Sequence, residues 1–330
     1  MTLATLVAFL ILTLGIFLYW FCLGIQPVSK NSGDSISFVI EKGKSASQIG
    51  ESLYKKGLIK SPLVFKLYVQ FFNKSKGIQT GKFELSPSYS LVKIVEVISS
   101  APQEVWVTIP EGLRREEVVD RYIKGLDKGG KEATLFRENF LKESEGLEGY
   151  LFPDTYLIPK DIQASKVVLM MKNNFDKKIS EIKSNYPFGY SLKEVVILAS
   201  LIEREAKTDE ERPVIAGILY NRLEKKWPLQ VDAAVQYAVA SLKMKNQGNQ
   251  VDKYWETLRE GDLDIDSPYN TYKYQGLPPG PISNPGLKSL KAAANPLMSD
   301  YFFYIHADGK VYYARTFEEH NSNIRKYLRK

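Results

Sequence analysis

The sequence predicts an α+β fold, in which two folded units follow an apolar N-terminal segment. Runs of alternating apolar residues indicate strands at residues 35–40 and 81–85. Apolar residues three or four positions apart indicate helices at residues 45–56 and 191–206. A chain of 330 residues is long enough for an anchor and two such units.

Composition narrows the classes of partner and cofactor. The net charge of +7 suits an anionic partner, although an ordinary soluble protein with a modest excess of lysine is an equal alternative. The basic residues are spread along the chain without interleaved aromatics, which argues against nucleic-acid binding. Cys22 is the single cysteine, and His306 and His320 do not stand in a ligand-spaced motif. We therefore expect no metal and no cofactor.

The first 27 residues predict a transmembrane anchor. No charged residue occurs between Leu3 and Ile25, and a run of this length matches the hydrocarbon thickness of a bilayer. Tyr19 and Trp20 stand where interfacial aromatics are expected. A cleavable signal peptide is the alternative, but no positive N-terminal region or small-residue cleavage site is clear. The flanking charges do not decide the orientation.

Residues 28–103 predict a small domain, and residues 104–330 a larger mixed α+β domain. The small domain combines strand, helix, helix, strand and helix signals, and its length can hold one modest core. This pattern resembles a LysM-like carbohydrate-binding module. A structural spacer is the alternative, because a fold pattern alone does not establish binding.

The segment at residues 191–206 carries the first chemical signal. Ser191 and Glu194 form a capping-box pattern that opens a helix, and the helix ends with Glu203 and Glu205. Residues two positions apart on a helix point in directions that differ by about 200°, so the side chains of Glu203 and Glu205 do not form a catalytic pair. Helical geometry does not choose between them, and two solvated carboxylates at a helix end are the alternative.

Two polar loop segments follow. The first covers residues 267–272, and the second, at residues 276–286, contains too many Pro and Gly residues for a regular helix or strand. A long loop with Tyr, Asn, Thr and Ser side chains in a compact domain is more often functional than not. Aspartate and glycine at positions 308 and 309 predict the turn of a β-hairpin.

These motifs together resemble the MltG/YceG-like family of endolytic lytic transglycosylases. The match lies in ordered motifs at residues 199–205, 221–223, 229–232, 269–272, 276–286, 292–294 and 319–321. The anchor and residues 148–155 fit as well. One position departs from the family: Val311 stands where members often carry a histidine after the hairpin glycine.

The resemblance implies cleavage of the MurNAc–GlcNAc β-1,4 bond within glycan strands, leaving 1,6-anhydroMurNAc ends. It implies that Glu205, the second glutamate of the Glu-basic-Glu motif, is catalytic and that Glu203 supports it. It also implies a single-pass protein of the bacterial cell membrane, with the catalytic part outside the cytoplasm. Its partners would be peptidoglycan, the membrane and the peptidoglycan synthesis machinery.

A lytic transglycosylase needs one carboxyl group that is protonated near neutral pH, which an apolar setting beside Glu205 would favour. Four side chains are candidates for holding the sugars: Gln230, Asn270, Tyr272 and Ser283. Asp232 is the candidate for a second acid. Hydrogen bonds that stabilise turns are the alternative for the loop residues.

Two other functions stay open at this point. A water-using muramidase would pair Glu205 with Asp232. A non-catalytic wall-binding scaffold would use the LysM-like unit alone.

Overall fold

Two separate hydrophobic cores organise the chain, one in each of two units. The computed structural model describes residues 3–29, 34–100, 103–182, 186–247 and 253–328. The small unit combines residues 1–107 with 155–162, and the large unit combines residues 108–154 with 163–330. The α+β class is therefore confirmed. Residues 101 and 102, beside the predicted domain boundary, lie outside the described residues.

The small unit contains one four-stranded sheet, in the order β1–β2–β3–β4. Phe38 of β1 lies opposite Phe83 of its antiparallel neighbour β2, and both side chains are buried. The elements are α1 (Leu3–Gly24), β1 (Ile36–Ile40), α2 (Ala46–Lys55), α3 (Pro62–Phe71), β2 (Gly81–Leu85), α4 (Leu91–Ile98), β3 (Glu104–Thr108) and β4 (Thr155–Pro159). This arrangement agrees with the strand and helix patterns, whereas the LysM-like resemblance stays a prediction.

The predicted transmembrane anchor at residues 1–27 is wrong. In the part of the chain that the structure describes, no helix combines the length and the apolar character needed to cross a membrane. The end of α1 packs instead onto the core of the small unit through Phe21 and Ile25. The Leu91 amide donates to the Ile25 carbonyl at 3.0 Å. The last turn of this helix therefore belongs to the packing of the small unit.

The large unit is mainly helical and ends with a hairpin and a helix. Its elements are α5 (Arg115–Gly125), α6 (Gly130–Glu143), α7 (Ala164–Ser180), α8 (Leu192–Glu205), α9 (Glu211–Glu224), α10 (Asp232–Gln247), α11 (Leu287–Ala294), β5 (Phe303–Ala307), β6 (Lys310–Ala314) and α12 (Phe317–Tyr327). Every residue of α8 from Val195 to Ile202 is buried. Because six of these eight residues belong to the hydrophobic core of the unit, α8 is its central helix.

Local sequence sets both ends of α8. The Ser191 side chain accepts from the Glu194 amide, and the Glu194 carboxylate accepts from the Ser191 amide at 2.7 Å. This is the reciprocal capping box that the sequence predicts. At the other end Ala206 adopts an extended conformation, with φ −78° and ψ 132°, so the helix stops directly after Glu205. Glu205 is therefore the last residue of a helix whose middle is buried in the core.

Helix α9 holds the chain segment that leads into β5. Asn221 donates to the carbonyls of Ser299 and Tyr301, at 2.7 and 2.9 Å. The Leu297 amide donates to the Pro213 carbonyl at 2.9 Å. Gly217 lets this segment approach closely, since a Cβ there would lie 2.2 Å from the Leu297 carbonyl oxygen. Asn221 and Gly217 of α9 therefore hold the segment that leads into β5 in place.

We expect Gly217→Ala to lower the free energy of unfolding by about 1–3 kcal/mol, because backbone has to move to admit the methyl group. Helix propensity alone would predict the opposite, a gain of about 1 kcal/mol. Gly15→Ala is the matched control, since this exposed glycine also lies inside a helix, α1, and a Cβ there meets nothing within 4 Å. Denaturant unfolding measures both variants. A Gly217→Ala protein as stable as the parent would contradict the close approach.

Candidate active site

The end of α8 sends three consecutive charged side chains in different directions. Glu203 accepts a salt bridge from Arg212 at 3.1 Å. The guanidinium of Arg204 lies over the Trp255 ring, 3.9 Å from its centroid. Glu205 accepts a hydrogen bond from the hydroxyl of a tyrosine of β5. This divergence follows from the rotation of about 100° per residue, so the two glutamates serve different environments.

Glu205 is partly accessible, and its carboxyl group lies among groups with opposing effects on its pKa. Burial has the largest effect and raises the pKa, and the nearby Asp232 charge raises it further. The hydrogen bond from Tyr304, 2.7 Å from hydroxyl to Oε2, lowers the pKa, as do the charges of His306 and Arg222. The net result is a raised pKa. The group is thus a weaker acid than an exposed glutamic acid and better able to keep its proton.

Tyr304 is placed by β5 and stays a hydrogen-bond donor. Burial raises its pKa well above the usual value, and the neighbouring Glu205 charge raises it further. His306 is two residues along the strand and therefore on the same face. Its Nε2 lies 3.0 Å from a Glu211 carboxylate oxygen. Val311, the position that departs from the family, pairs with His306 across the hairpin, so an imidazole is present on the opposite strand.

Asp232 and Tyr272, two of the predicted site residues, lie together. The Tyr272 hydroxyl donates to Asp232 Oδ1 at 2.5 Å. Burial and the Asp232 carboxylate both raise the pKa of Tyr272. Asp232 is the exposed first residue of α10 and interacts electrostatically with Glu205. The structure therefore brings Glu205, Asp232 and Tyr272 to one region of the large unit.

Gln230 is exposed beside this region and stands on strained backbone. Its φ of +52° lies in the left-handed region, which is uncommon for residues other than glycine. Leu229 and Val231 on either side are buried, and the Gln230 amide donates to the Thr271 carbonyl at 3.0 Å. Such outliers cluster at functional sites and cost of order 1–3 kcal/mol each. The geometry is compatible with a substrate-binding side chain, and this role stays a prediction.

The Glu203 carboxylate is bound by neighbouring groups of the large unit. Its side chain is 6% exposed, and besides the pair with Arg212 it accepts from the Gly286 amide at 2.9 Å. Arg212 also donates to Ser289 at 3.0 Å and to Asp209 at 2.9 Å. Glu203 therefore connects α8 to α9 and to the start of α11. This placement fits the supporting role that the sequence predicts for it.

Asn270 and Ser283, the other two predicted sugar contacts, are completely buried. The Asn270 amide nitrogen donates to the Leu263 and Ile265 carbonyls, and its oxygen accepts from two backbone amides of its own turn. The Ser283 hydroxyl donates to the Ser200 carbonyl at 3.3 Å. The contacts of Asn270 favour the turn-stabilising alternative, whereas Ser283 connects its loop to α8.

Sequence reasoning did not assign three residues that surround Glu205. Tyr304 and His306 belong to a hairpin that the pattern predicts only as strand, and Arg222 belongs to a motif quoted for the family match alone. Arg222 is buried and donates to the carbonyls of Phe302 and Leu229 at 2.8 and 2.5 Å. Its place in a motif of the family match is the one sequence signal that could have identified it. Among the described residues, no group of three or more metal-binding side chains lies together.

We expect Tyr304→Phe to raise the pKa of Glu205, with an acid dissociation constant about tenfold lower than in the parent. The lost hydrogen bond stabilises only the ionised carboxylate, and a bond to a charged group contributes about 1.5–3 kcal/mol. Carboxyl carbon NMR of selectively labelled glutamate measures the titration. Tyr272→Phe is the control, because it removes a hydroxyl from Asp232 instead and should change the pKa of Glu205 less. Equal effects of the two variants would contradict the role of Tyr304.

Comparisons with known proteins agree with the family predicted from the sequence. The sequence model of the YceG-like family matches residues 38–326. A Bacillus subtilis protein named endolytic murein transglycosylase is 32% identical, over 95% of this chain and 90% of its own length. A Streptococcus pneumoniae protein of the same name is 30% identical over 95% of this chain, which spans 62% of that longer protein.

A crystal structure of a yceG-like protein from Listeria monocytogenes is similar as well. It has 31% sequence identity and a TM-score of 0.54, and the match covers 88% of this chain and 99% of that one. The predicted family is confirmed: this chain belongs to the YceG-like family.

Proposed function

We propose that this chain is an endolytic murein transglycosylase that cleaves the MurNAc–GlcNAc β-1,4 bond within glycan strands and leaves 1,6-anhydroMurNAc ends. It would act outside the cytoplasm, in wall synthesis and remodelling alongside the peptidoglycan synthesis machinery. The names of its relatives support the enzyme class. The observation that carries the chemistry is the desolvated carboxyl group of Glu205 at the end of α8, which accepts a hydrogen bond from Tyr304.

In the first step Glu205 acts as a general acid. Its raised pKa favours the protonated form, which donates to the glycosidic oxygen as the bond to the anomeric carbon breaks. Oε2 is occupied by the Tyr304 hydroxyl. Within the described residues, no protein group donates to Oε1, so Oε1 is the oxygen from which the proton leaves.

In the second step the same carboxylate acts as a base. It takes the proton of the sugar's own 6-hydroxyl while that oxygen bonds to the anomeric carbon, which closes the 1,6-anhydro ring. No water is consumed, and Glu205 ends in its starting form. Tyr304 contributes between the two steps, because its hydroxyl stabilises the carboxylate just when that group is ionised.

Asp232 is the residue on which the muramidase alternative depends. Its charge acts on Glu205, and an inverting or retaining hydrolase requires a second carboxylate across the scissile bond. In the proposed mechanism Asp232 has a different task. Its negative charge favours positive charge developing at the anomeric carbon, and its hydrogen bond orients Tyr272.

We expect Glu205→Gln to lower the rate of glycan cleavage by at least about 10²–10⁴-fold, because the amide cannot donate and then recover a proton. Its stability should not fall, since the near-isosteric amide needs no ionisation in a desolvated setting. Glu203→Gln should instead lower the free energy of unfolding by about 1.5–3 kcal/mol, because it removes one of the two carboxylates that pair with the buried Arg212.

Cleavage of purified peptidoglycan and denaturant unfolding, measured on both variants, separate these two effects. A Glu205→Gln protein that cleaves at the parent rate would overturn the catalytic role of Glu205. If Glu203→Gln were then inactive but fully stable, Glu203 would carry the proton instead. A parent protein that binds peptidoglycan without cleaving it would favour the wall-binding scaffold.

Product analysis tests the reaction type. We expect mass spectrometry of fragments from purified peptidoglycan to show 1,6-anhydroMurNAc ends, each lighter by one water than a hydrolytic product. Asp232→Asn should reduce the rate without changing the product, because no step requires it to activate water. Reducing ends, together with complete loss of activity in Asp232→Asn, would establish the muramidase alternative.

A further inference from the structure

A cavity in the large unit is lined by aromatic and acidic side chains, and Glu205 is not among them. Its volume is about 320 Å³, and we call it the aromatic pocket. It is lined by Phe188, Gly189, Tyr190, Glu194, Tyr220 and Glu224. Cavities of this size hold small ligands or single side chains. None of these residues takes part in the mechanism above.

The walls of the aromatic pocket include three rings, and the central ring, Tyr220, contacts the other two. The ring of Tyr220 lies 5.4 Å from that of Phe188 and 5.3 Å from that of Tyr190, the latter in an edge-to-face arrangement. Tyr220 is buried and donates to the Ala293 carbonyl at 2.9 Å, so this wall is rigid. The rings therefore form a fixed surface with several π faces.

Phe188 forms the outer wall in an unfavourable conformation. It is 59% exposed, and its φ of +56° lies in the left-handed region. Both features carry a cost for a large apolar residue, since its ring contacts water and its backbone is strained. Strain of this kind persists where the surrounding structure enforces it and is frequent at ligand sites. The conformation holds the Phe188 ring beside Tyr220.

The charge of the pocket is negative although the chain as a whole carries +7. The capping bonds from Ser191 lower the pKa of Glu194, so its carboxylate is ionised at neutral pH, and this charge offsets the positive end of the α8 dipole. Glu224 adds an exposed carboxylate on the α9 side. Aromatic faces combined with carboxylates attract an organic cation through cation–π and ionic interactions.

We propose that the aromatic pocket binds the primary ammonium group of an alkyl side chain, namely the free amine of a diamino acid in a peptidoglycan stem peptide. The choice of this amine rests on the proposed function. Glu194 and Glu205 are 11 residues apart on α8, which corresponds to about 16 Å along the helix axis. An extended peptide of about five residues covers that distance. The pocket would thus select strands whose stems carry an unlinked amine.

Binding of two matched fragments to the full chain tests the proposal. One is a soluble disaccharide-peptide with a free side-chain amine, and the other is the same compound acetylated at that amine. The Glu205→Gln background prevents cleavage, so calorimetry reports binding alone. We expect acetylation to weaken binding about tenfold, because it removes the charge that the rings and carboxylates attract.

Variants then locate the effect. Glu224→Gln and Phe188→Ala should each lose most of the preference for the free amine, whereas Glu138→Gln, at an exposed site on α6, should keep it. Because Glu224 is exposed, its substitution should not impair folding. Cleavage of stem-free glycan by Glu224→Gln at the parent rate would show that the catalytic chemistry is separate. Equal affinity for the two fragments, or an unchanged preference in Glu224→Gln, would overturn the proposal.

Discussion

The rotation of an α-helix by about 100° per residue is the constraint on which the candidate site depends. It forces Glu203, Arg204 and Glu205 apart at the end of α8, although they are neighbours in sequence. One carboxylate meets a buried arginine, and the other meets a buried tyrosine hydroxyl. The first is neutralised within the structure. The second is partly accessible and has a raised pKa, which are properties that proton transfer requires.

Opposing effects on the pKa of Glu205 suit a group that acts first as an acid and then as a base. Burial favours the protonated acid, whereas the hydrogen bond from Tyr304 favours the carboxylate. A much higher pKa would keep the proton on Glu205 but make it a poor donor to the glycosidic oxygen, whereas a normal pKa would leave the group ionised at neutral pH with no proton to donate. Because Tyr304 comes from β5, about a hundred positions along the chain, the balance depends on how α9 places the segment before that strand.

The buried side-chain amide of Asn284 holds the glycine- and proline-rich loop at residues 276–286 in place. The Asn284 side chain accepts from the amides of Gly149 and Leu151, at 3.0 and 2.9 Å, and donates to Glu148 at 2.9 Å. Burial around this group raises the pKa of Glu148 to about 8. Asn270 and Ser283 are likewise used within the structure. Polar residues at these positions replace the backbone bonds that a helix or strand would supply.

Sequence by itself determined the local elements and the chemistry at the end of α8. Periodicity located the helices and strands, the capping box of Ser191 and Glu194 set the start of α8, and the spacing of Glu203 and Glu205 excluded a carboxylate pair. These features depend on neighbours within a few residues, which a sequence displays directly. Apolar composition over residues 3–25 led to an anchor that the structure does not support, since composition does not report how the end of a helix packs.

Only the tertiary structure decided which polar residues face the candidate site. Asn270 and Gln230 read alike in sequence, yet one is enclosed in its own turn and the other is exposed. Tyr304 and His306 read as strand residues, and their place beside Glu205 and Glu211 arises from contacts about a hundred positions apart. Long-range packing brings these groups together, and the pKa of Glu205 depends on the solvent and charges that this packing removes or supplies.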